Sequence, residues 1–216
     1  MIGWLRWTLL SGAGLFLGMI VAAVLGIIGF GLTFSTTSLD SPADWVIVMA
    51  AVLPAGAAGG AIAGTAQSVA LRRQFSSING LRWVFLTAVG GTTALWLSAA
   101  LIAPIGRATS VDAHAPGLTS VTISSLPGLS LLLTGALGAA IGLLFGLLQW
   151  LELRRHVPSS GWIWTSTLAW GFAIVLVLAW VSTARANWIP VAVAGMASSS
   201  VLIAGIEGIV LVRRAP

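Results

Sequence analysis

Gly138–Arg155 reads G-A-A-I-G-L-L-F-G-L-L-Q-W-L-E-L-R-R, and 82 residues earlier Gly56–Arg73 reads G-A-A-G-G-A-I-A-G-T-A-Q-S-V-A-L-R-R. Nine of the eighteen positions are identical: Gly56/Gly138, Ala57/Ala139, Ala58/Ala140, Gly60/Gly142, Gly64/Gly146, Gln67/Gln149, Leu71/Leu153, Arg72/Arg154 and Arg73/Arg155. Each copy is an apolar segment with a glycine every fourth residue, one glutamine and a closing arginine pair. Glycines four apart share a helix face and let a neighbouring backbone come close. Helices associate in this way where the surrounding solvent is as apolar as they are. The stretch therefore reads as one unit of a membrane-embedded helical repeat, and it carries no catalytic signature.

Composition agrees. The chain has 216 residues, 58% hydrophobic and 7% charged, with a mean hydropathy of +1.04. Soluble domains carry roughly 25% charged residues, so the expectation is an all-α polytopic membrane protein. Cysteine is absent, which removes disulfides, thiolate metal sites and thiol redox chemistry. All ten basic residues are arginine and flank apolar runs. That placement orients a membrane protein and excludes a nucleic-acid surface.

Six runs are long enough to cross a bilayer, which takes about 20 apolar residues per helix. They cover residues 8–34, 45–71, 83–103, 129–151, 162–183 and 189–211 within one transmembrane domain, residues 1–216. The internal repeats cover about 45–103 and 129–183. The runs are continuous and do not alternate, so helices satisfy the backbone better than strands would. The first run is read as a retained helix, because its apolar part exceeds the h-region of a signal peptide.

With six crossings, Arg6, Arg72, Arg73, Arg82, Arg154, Arg155, Arg213 and Arg214 fall on one side. Arg107 and Arg185 fall on the other, with Asp40, Asp44 and Asp112. The positive-inside rule places both termini in the cytoplasm of a cell whose inner membrane holds the protein. Trp4, Trp7, Trp83, Trp150, Trp162 and Trp164 read as the inner interfacial belt. Trp45, Trp180 and Trp188 read as the outer one, and Trp96 and Trp170 as packed between helices. The link from Pro104 to Pro127, with Arg107, Asp112 and His114, reads as the one long outer loop.

Parallel units ending on the same side are related by an axis along the membrane normal. The stripes Gly56, Gly60, Gly64 and Gly138, Gly142, Gly146 are expected to be buried between helices; a glycine-lined substrate path is the alternative. Gln67 and Gln149 fall on these stripes one turn from the arginines. Each reads as an interhelical hydrogen bond worth on the order of 0.6 kcal/mol, or as a polar constriction. The pairs Arg72–Arg73, Arg154–Arg155 and Arg213–Arg214 set topology and reach lipid phosphates; the competing reading is a dock for an acidic partner. Helix six aligns Gly205 with Gly64 and Arg213–Arg214 with the other pairs, which puts Gly208 in the glutamine's place. Helix one shares only its ladder, Gly14, Gly18, Ala22 and Gly26.

Glu207 is the one acid well inside an apolar run. An ionisable group there costs several kcal/mol unless partnered. It shares a face with Ala204, Ser200 and Ala197, with Met196 also projecting there. Its expected partners are Gln67, Gln149, Arg72 or Arg154. Gln67, Gln149 and Glu207 thus form a candidate intramembrane polar cluster. The run Ser198–Ser200 bonds back to its own helix and signals little.

No G-x-S-x-G elbow, H-E-x-x-H pair, Walker loop or dinucleotide fingerprint occurs. Both histidines, His114 and His156, fall in loops. Asp40, Asp44, Asp112 and His114 share a face but read as solvated, so no metal and no cofactor is expected.

The pattern Gly142, Gly146, Gln149, Trp150, Leu153, Arg154, Arg155, followed by Trp162, Trp164 and Trp170, resembles a group of bacterial multi-pass membrane proteins that repeat this hairpin. The resemblance covers residues 50–100 and 130–185. Ser68 replaces the tryptophan in the first copy, and Trp150 to Leu153 is one residue shorter than the group's spacing. It implies a fold and brings no activity. The expected function is a non-enzymatic structural or accessory subunit, with the lipid bilayer and other membrane subunits as partners. The alternative is a small transporter or channel using the polar cluster around Glu207.

Overall fold

The computed structural model describes residues 2–34, 42–111, 127–156, 160–183 and 188–212. Six α-helices account for nearly all of them: α1 (Ile2–Phe34), α2 (Pro42–Arg72), α3 (Gly80–Val111), α4 (Pro127–Leu153), α5 (Gly161–Thr183) and α6 (Trp188–Val212). Proline occupies the first helical position of α2 and α4, where its missing N–H costs no intrahelical bond. Asn79 caps α3, its side-chain oxygen accepting from the Arg82 backbone N–H at 3.1 Å.

Each helix packs against the next in the chain, and α6 returns to α1. The result is a closed ring in chain order. Among the described residues, no pair across the ring comes into backbone contact, and the α3–α4 seam is the loosest.

Four helices contain stretches long and apolar enough to cross a membrane: Gly3–Thr33, Val46–Arg72, Leu131–Leu153 and Ile189–Leu211. A shorter apolar stretch, Gly161–Val177, lies in α5. The outer surface is apolar too, with Leu9, Phe85, Leu132, Leu168 and Phe172 all exposed.

Glycine stripes make the close seams. All six ladder glycines are buried. A Cβ on Gly56 would stand 2.6 Å from the Gly91 carbonyl oxygen, and one on Gly60 would stand 2.5 Å from that of Thr87, so this stripe faces α3. The stripe of Gly138, Gly142 and Gly146 faces α5 in the same way, against Trp170, Ser166 and Ile163. Gly14 and Gly18 of α1 seat on Ala66 and Gly59 of α2.

Three expectations need correction. α1 starts at Ile2 rather than residue 8. Its first turns are anchored where the Trp4 indole donates to the Gly205 carbonyl at 3.1 Å and Trp7 is buried. α3 runs on to Val111, so Pro104 does not end it and Arg107 lies on the helix. A proline removes one ladder bond, which a helix tolerates. Trp96 is 45% exposed rather than packed between helices. It stands two residues, about 200°, from the inward-facing Ala94.

Candidate functional site

Three tryptophans close the arginine end of the ring. Trp7 of α1, Trp83 of α3 and Trp162 of α5 are all at most 2% exposed, so they form a floor and not an interfacial belt. Trp162 stands between the other two. Its ring lies 6.0 Å from Trp7 at 76° and 6.2 Å from Trp83 at 67°. Edge-to-face contacts of this kind add to burial because a positive ring edge meets a negative face. Leu71, Leu153 and Leu211 complete the floor, each fully buried. Trp164, two residues past Trp162, points outward and is exposed.

One turn further in lies a polar layer. Ser11, Thr87 and Ser166 each follow a floor tryptophan by four residues. Gln67, Gln149 and Glu207 each precede a floor leucine by four. All six are buried. The Gln67 amide N–H donates to Ser11 Oγ at 3.1 Å. The Gln149 amide N–H donates to Gln67 Oε1 at 3.1 Å and, at 3.4 Å, to Thr87 Oγ1. Ser166 Oγ donates to Glu207 Oε1 at 3.0 Å. The Trp83 indole donates to Gln67 Oε1 at 3.2 Å.

The structure thus brings Gln67 and Gln149 together and puts Glu207 in the same layer of residues. The hydrogen-bond partner of Glu207 is Ser166, and no arginine pairs with it among the described residues. Seven buried polar atoms of this end are without a hydrogen-bond partner among the described residues: Trp7 Nε1, Thr8 Oγ1, Gln149 Oε1, Trp150 Nε1, His156 Nδ1, Trp162 Nε1 and Glu207 Oε2. Unmet buried donors and acceptors cost about 1–3 kcal/mol each, so the floor and the polar layer are where polarity is held at a cost. Gly208 does not stand in for the glutamine as the sequence alignment suggested. It lies against the Trp7 and Trp4 rings, and Glu207 takes the buried position.

Arg72, Arg73, Arg154 and Arg155 are exposed at the same end. Arg154 lies 5.9 Å from the Trp150 ring centre. Arg213 and Arg214 lie outside the described residues. Sequence reasoning missed Glu152, the acid inside the second Leu-Arg-Arg motif. It pairs with Arg82 at 3.3 Å and accepts from the Asn79 backbone N–H at 3.1 Å. Ser77 and His156 are hydrogen-bonded at 2.6 Å, and the Gln74 amide donates to the Leu211 carbonyl at 3.2 Å. The two arginine-bearing links are therefore latched to each other and to α6.

Of the serine run, Ser198 and Ser200 bond back within α6, but Ser199 crosses to the Ala173 carbonyl of α5 at 3.0 Å. Among the described residues, no group of three or more acids or histidines stands close enough to hold a metal ion. Asp40, Asp112 and His114 lie outside the described residues.

Beyond the polar layer, toward the far end, the ring holds a half-open cavity of about 200 Å³. Leu15, Gly91 and Trp170 line it, each four residues past a hydroxyl of the layer, together with Gly60, Phe145 and Ile141. Phe145 and Trp170 stack at 5.0 Å with their planes 7° apart and make one flat wall.

Compared with known proteins, the chain matches no family model, no curated protein and no solved structure.

Proposed function

We propose that this chain is a non-enzymatic integral membrane protein of six crossings, a structural or accessory subunit of a membrane assembly. The observation that carries the reading is the floor: Trp7, Trp83, Trp162, Leu71, Leu153 and Leu211 interlock across the ring and leave its inner face built for packing. Helix length supports six crossings. At 1.5 Å per residue, the 32 residues of α3 and 23 of α5 reach about 48 and about 35 Å, beyond a hydrocarbon core of about 30 Å. The arginine asymmetry supports a cytoplasmic floor, and the resemblance to bacterial multi-pass proteins supports the inner membrane. Reporters fused at either terminus are expected to give a cytoplasmic signal; an external signal from either would overturn this topology.

The internal repeat is read as three units about one axis: α2–α3, α4–α5, and a third split between the chain ends, α6–α1. Glutamine or glutamate with leucine four residues on marks the first helix of each unit. Tryptophan with a hydroxyl four residues on marks the second.

A second reading, proton or solute transport, is favoured by one observation: Glu207 Oε2 is buried and unpartnered. Substitution separates the two. As a structural acid, Glu207→Gln keeps the Ser166 bond and is expected to melt close to wild type. Glu207→Leu leaves the Ser166 hydroxyl unmet and is expected to lose about 1–3 kcal/mol. Wild-type liposomes are expected to pass no protons. A wild-type flux that vanishes in a well-folded Glu207→Gln would move the protein into the transporter class.

A further inference from the structure

The central cavity is lined by five helices and, among the described residues, by no charged side chain. Among the described lining residues the one hydroxyl is that of Ser98, which donates to the Ala94 carbonyl of its own helix at 2.8 Å. A void of this character stays dry, because water needs two to four polar partners. Left empty, it forfeits the dispersion contacts of its walls. At about 200 Å³ it exceeds the roughly 150 Å³ void that admits a benzene molecule. An apolar occupant of a few carbons therefore gains contacts that none of the described residues supplies.

The position of the cavity says how such an occupant enters. The polar layer and the tryptophan floor lie at one end. Leu95 and Ser98 of α3 and Ile141 and Phe145 of α4 line the cavity and flank the α3–α4 seam, the loosest in the ring. The remaining seams of the lining helices are closed by glycine and alanine contacts: α1 on α2 through Gly18 and Gly59, α2 on α3 through Gly56 and Gly91, and α4 on α5 through Gly138 and Gly171. Ala94, Ile141 and Phe145 pack across that loosest seam and are buried, so a sideways entrant has only these side chains to part.

We propose that the cavity is a binding site for a single hydrocarbon chain, inserted between α3 and α4 and laid against the Phe145–Trp170 wall. The site is floored by Leu15 and Ala63 and sided by glycines, so a slender chain fits where a branched or polar group does not. The inference rests on the membrane placement proposed above.

The test uses the full chain in liposomes that contain either a phospholipid or a free fatty acid bearing a diazirine in its acyl chain. After illumination, labelled residues are mapped by mass spectrometry. Label is expected on Phe145, Trp170 or Leu95 inside the ring, and on outward-facing Leu143 and Phe172. Interior label from the phospholipid assigns the chain to a bilayer lipid, whereas interior label from the fatty acid alone assigns it to a free acid. Leu95→Trp fills the cavity, and Ser98→Leu narrows it with less strain. In whichever variant keeps its fold, interior label is expected to fall about tenfold or more, corresponding to about 1.4 kcal/mol of lost binding. Outward label is expected to stay unchanged. Outward label with an unlabelled wild-type interior would overturn the proposal. No label on either face would instead overturn the membrane placement.

Discussion

Gly142→Leu is expected to collapse the folded ring, while Leu143→Ala next to it is nearly silent. A side chain on Gly142 has nowhere to go. Its Cβ alone would meet the Ser166 carbonyl oxygen and stand 2.8 Å from the Trp170 Cβ. The obstruction is backbone on the facing helix, so no rotamer change relieves it, and α4 and α5 must separate. Overpacking a close seam costs typically 1–3 kcal/mol and more where backbone is displaced; this site belongs at or above the upper end, about 3 kcal/mol. Parting the two helices also displaces Ser166, which donates to Glu207 at 3.0 Å in the polar layer. Leu143 is 40% exposed on the outer surface, and its truncation empties no interior space. The measurement is the fraction of folded, monodisperse protein surviving a detergent melt. Equal losses in the two variants would show that the stripe is not a packing surface.

Trp162→Ala is expected to be the most damaging truncation at the arginine end. Trp162 is fully buried and touches both other floor indoles, so its removal leaves Trp7 and Trp83 facing a hole. Losing a buried tryptophan costs about 3–5 kcal/mol, from lost burial and from a cavity that collapses only partly. Trp164→Ala is the control, because that ring is 64% exposed and is expected to change stability by less than about 1 kcal/mol. Comparable melting losses in the two variants would refute the floor. Because the floor lies under the polar layer, Trp162→Ala is also expected to let water reach Gln149, seen as faster exchange of its amide protons.

The sequence made the helices and the glycine stripes legible because both follow from period and composition alone. It also brought Gln67 and Gln149 to one depth, since they occupy the same place in two copies. What it hid was the lateral order. The hydroxyls that meet the glutamines and Glu207 come from α1, α3 and α5, helices with no detectable copy of the Gly138–Arg155 stretch. The pattern W-x-x-x-[S/T] at Trp7, Trp83 and Trp162 is a signal for them, but Trp4–Thr8 shows it as well, so the floor could not be singled out. Helix six reads one residue out of register in the sequence because its arginine pair is the conspicuous anchor. One extra residue separates Leu211 from Arg213, and packing aligns on the leucine. Glu152 escaped notice because its partner, Arg82, lies on a different link and becomes a neighbour only when the ring closes.

That closure has a consequence for how the chain comes to be made. Five of the six seams join helices adjacent in sequence, and each can form as its second helix emerges. The sixth joins α1 to α6, the ring's first helix to be synthesised to the ring's last. Until α6 arrives, Gly12 lacks the Ser200 backbone it packs against, and the Trp4 indole waits for the Gly205 carbonyl. A nascent chain therefore carries an open edge on α1, with Trp4, Trp7 and Gly12 uncovered, until α6 follows. Chains that stop early keep that edge, and it is the surface by which quality control could tell an unfinished ring from a finished one.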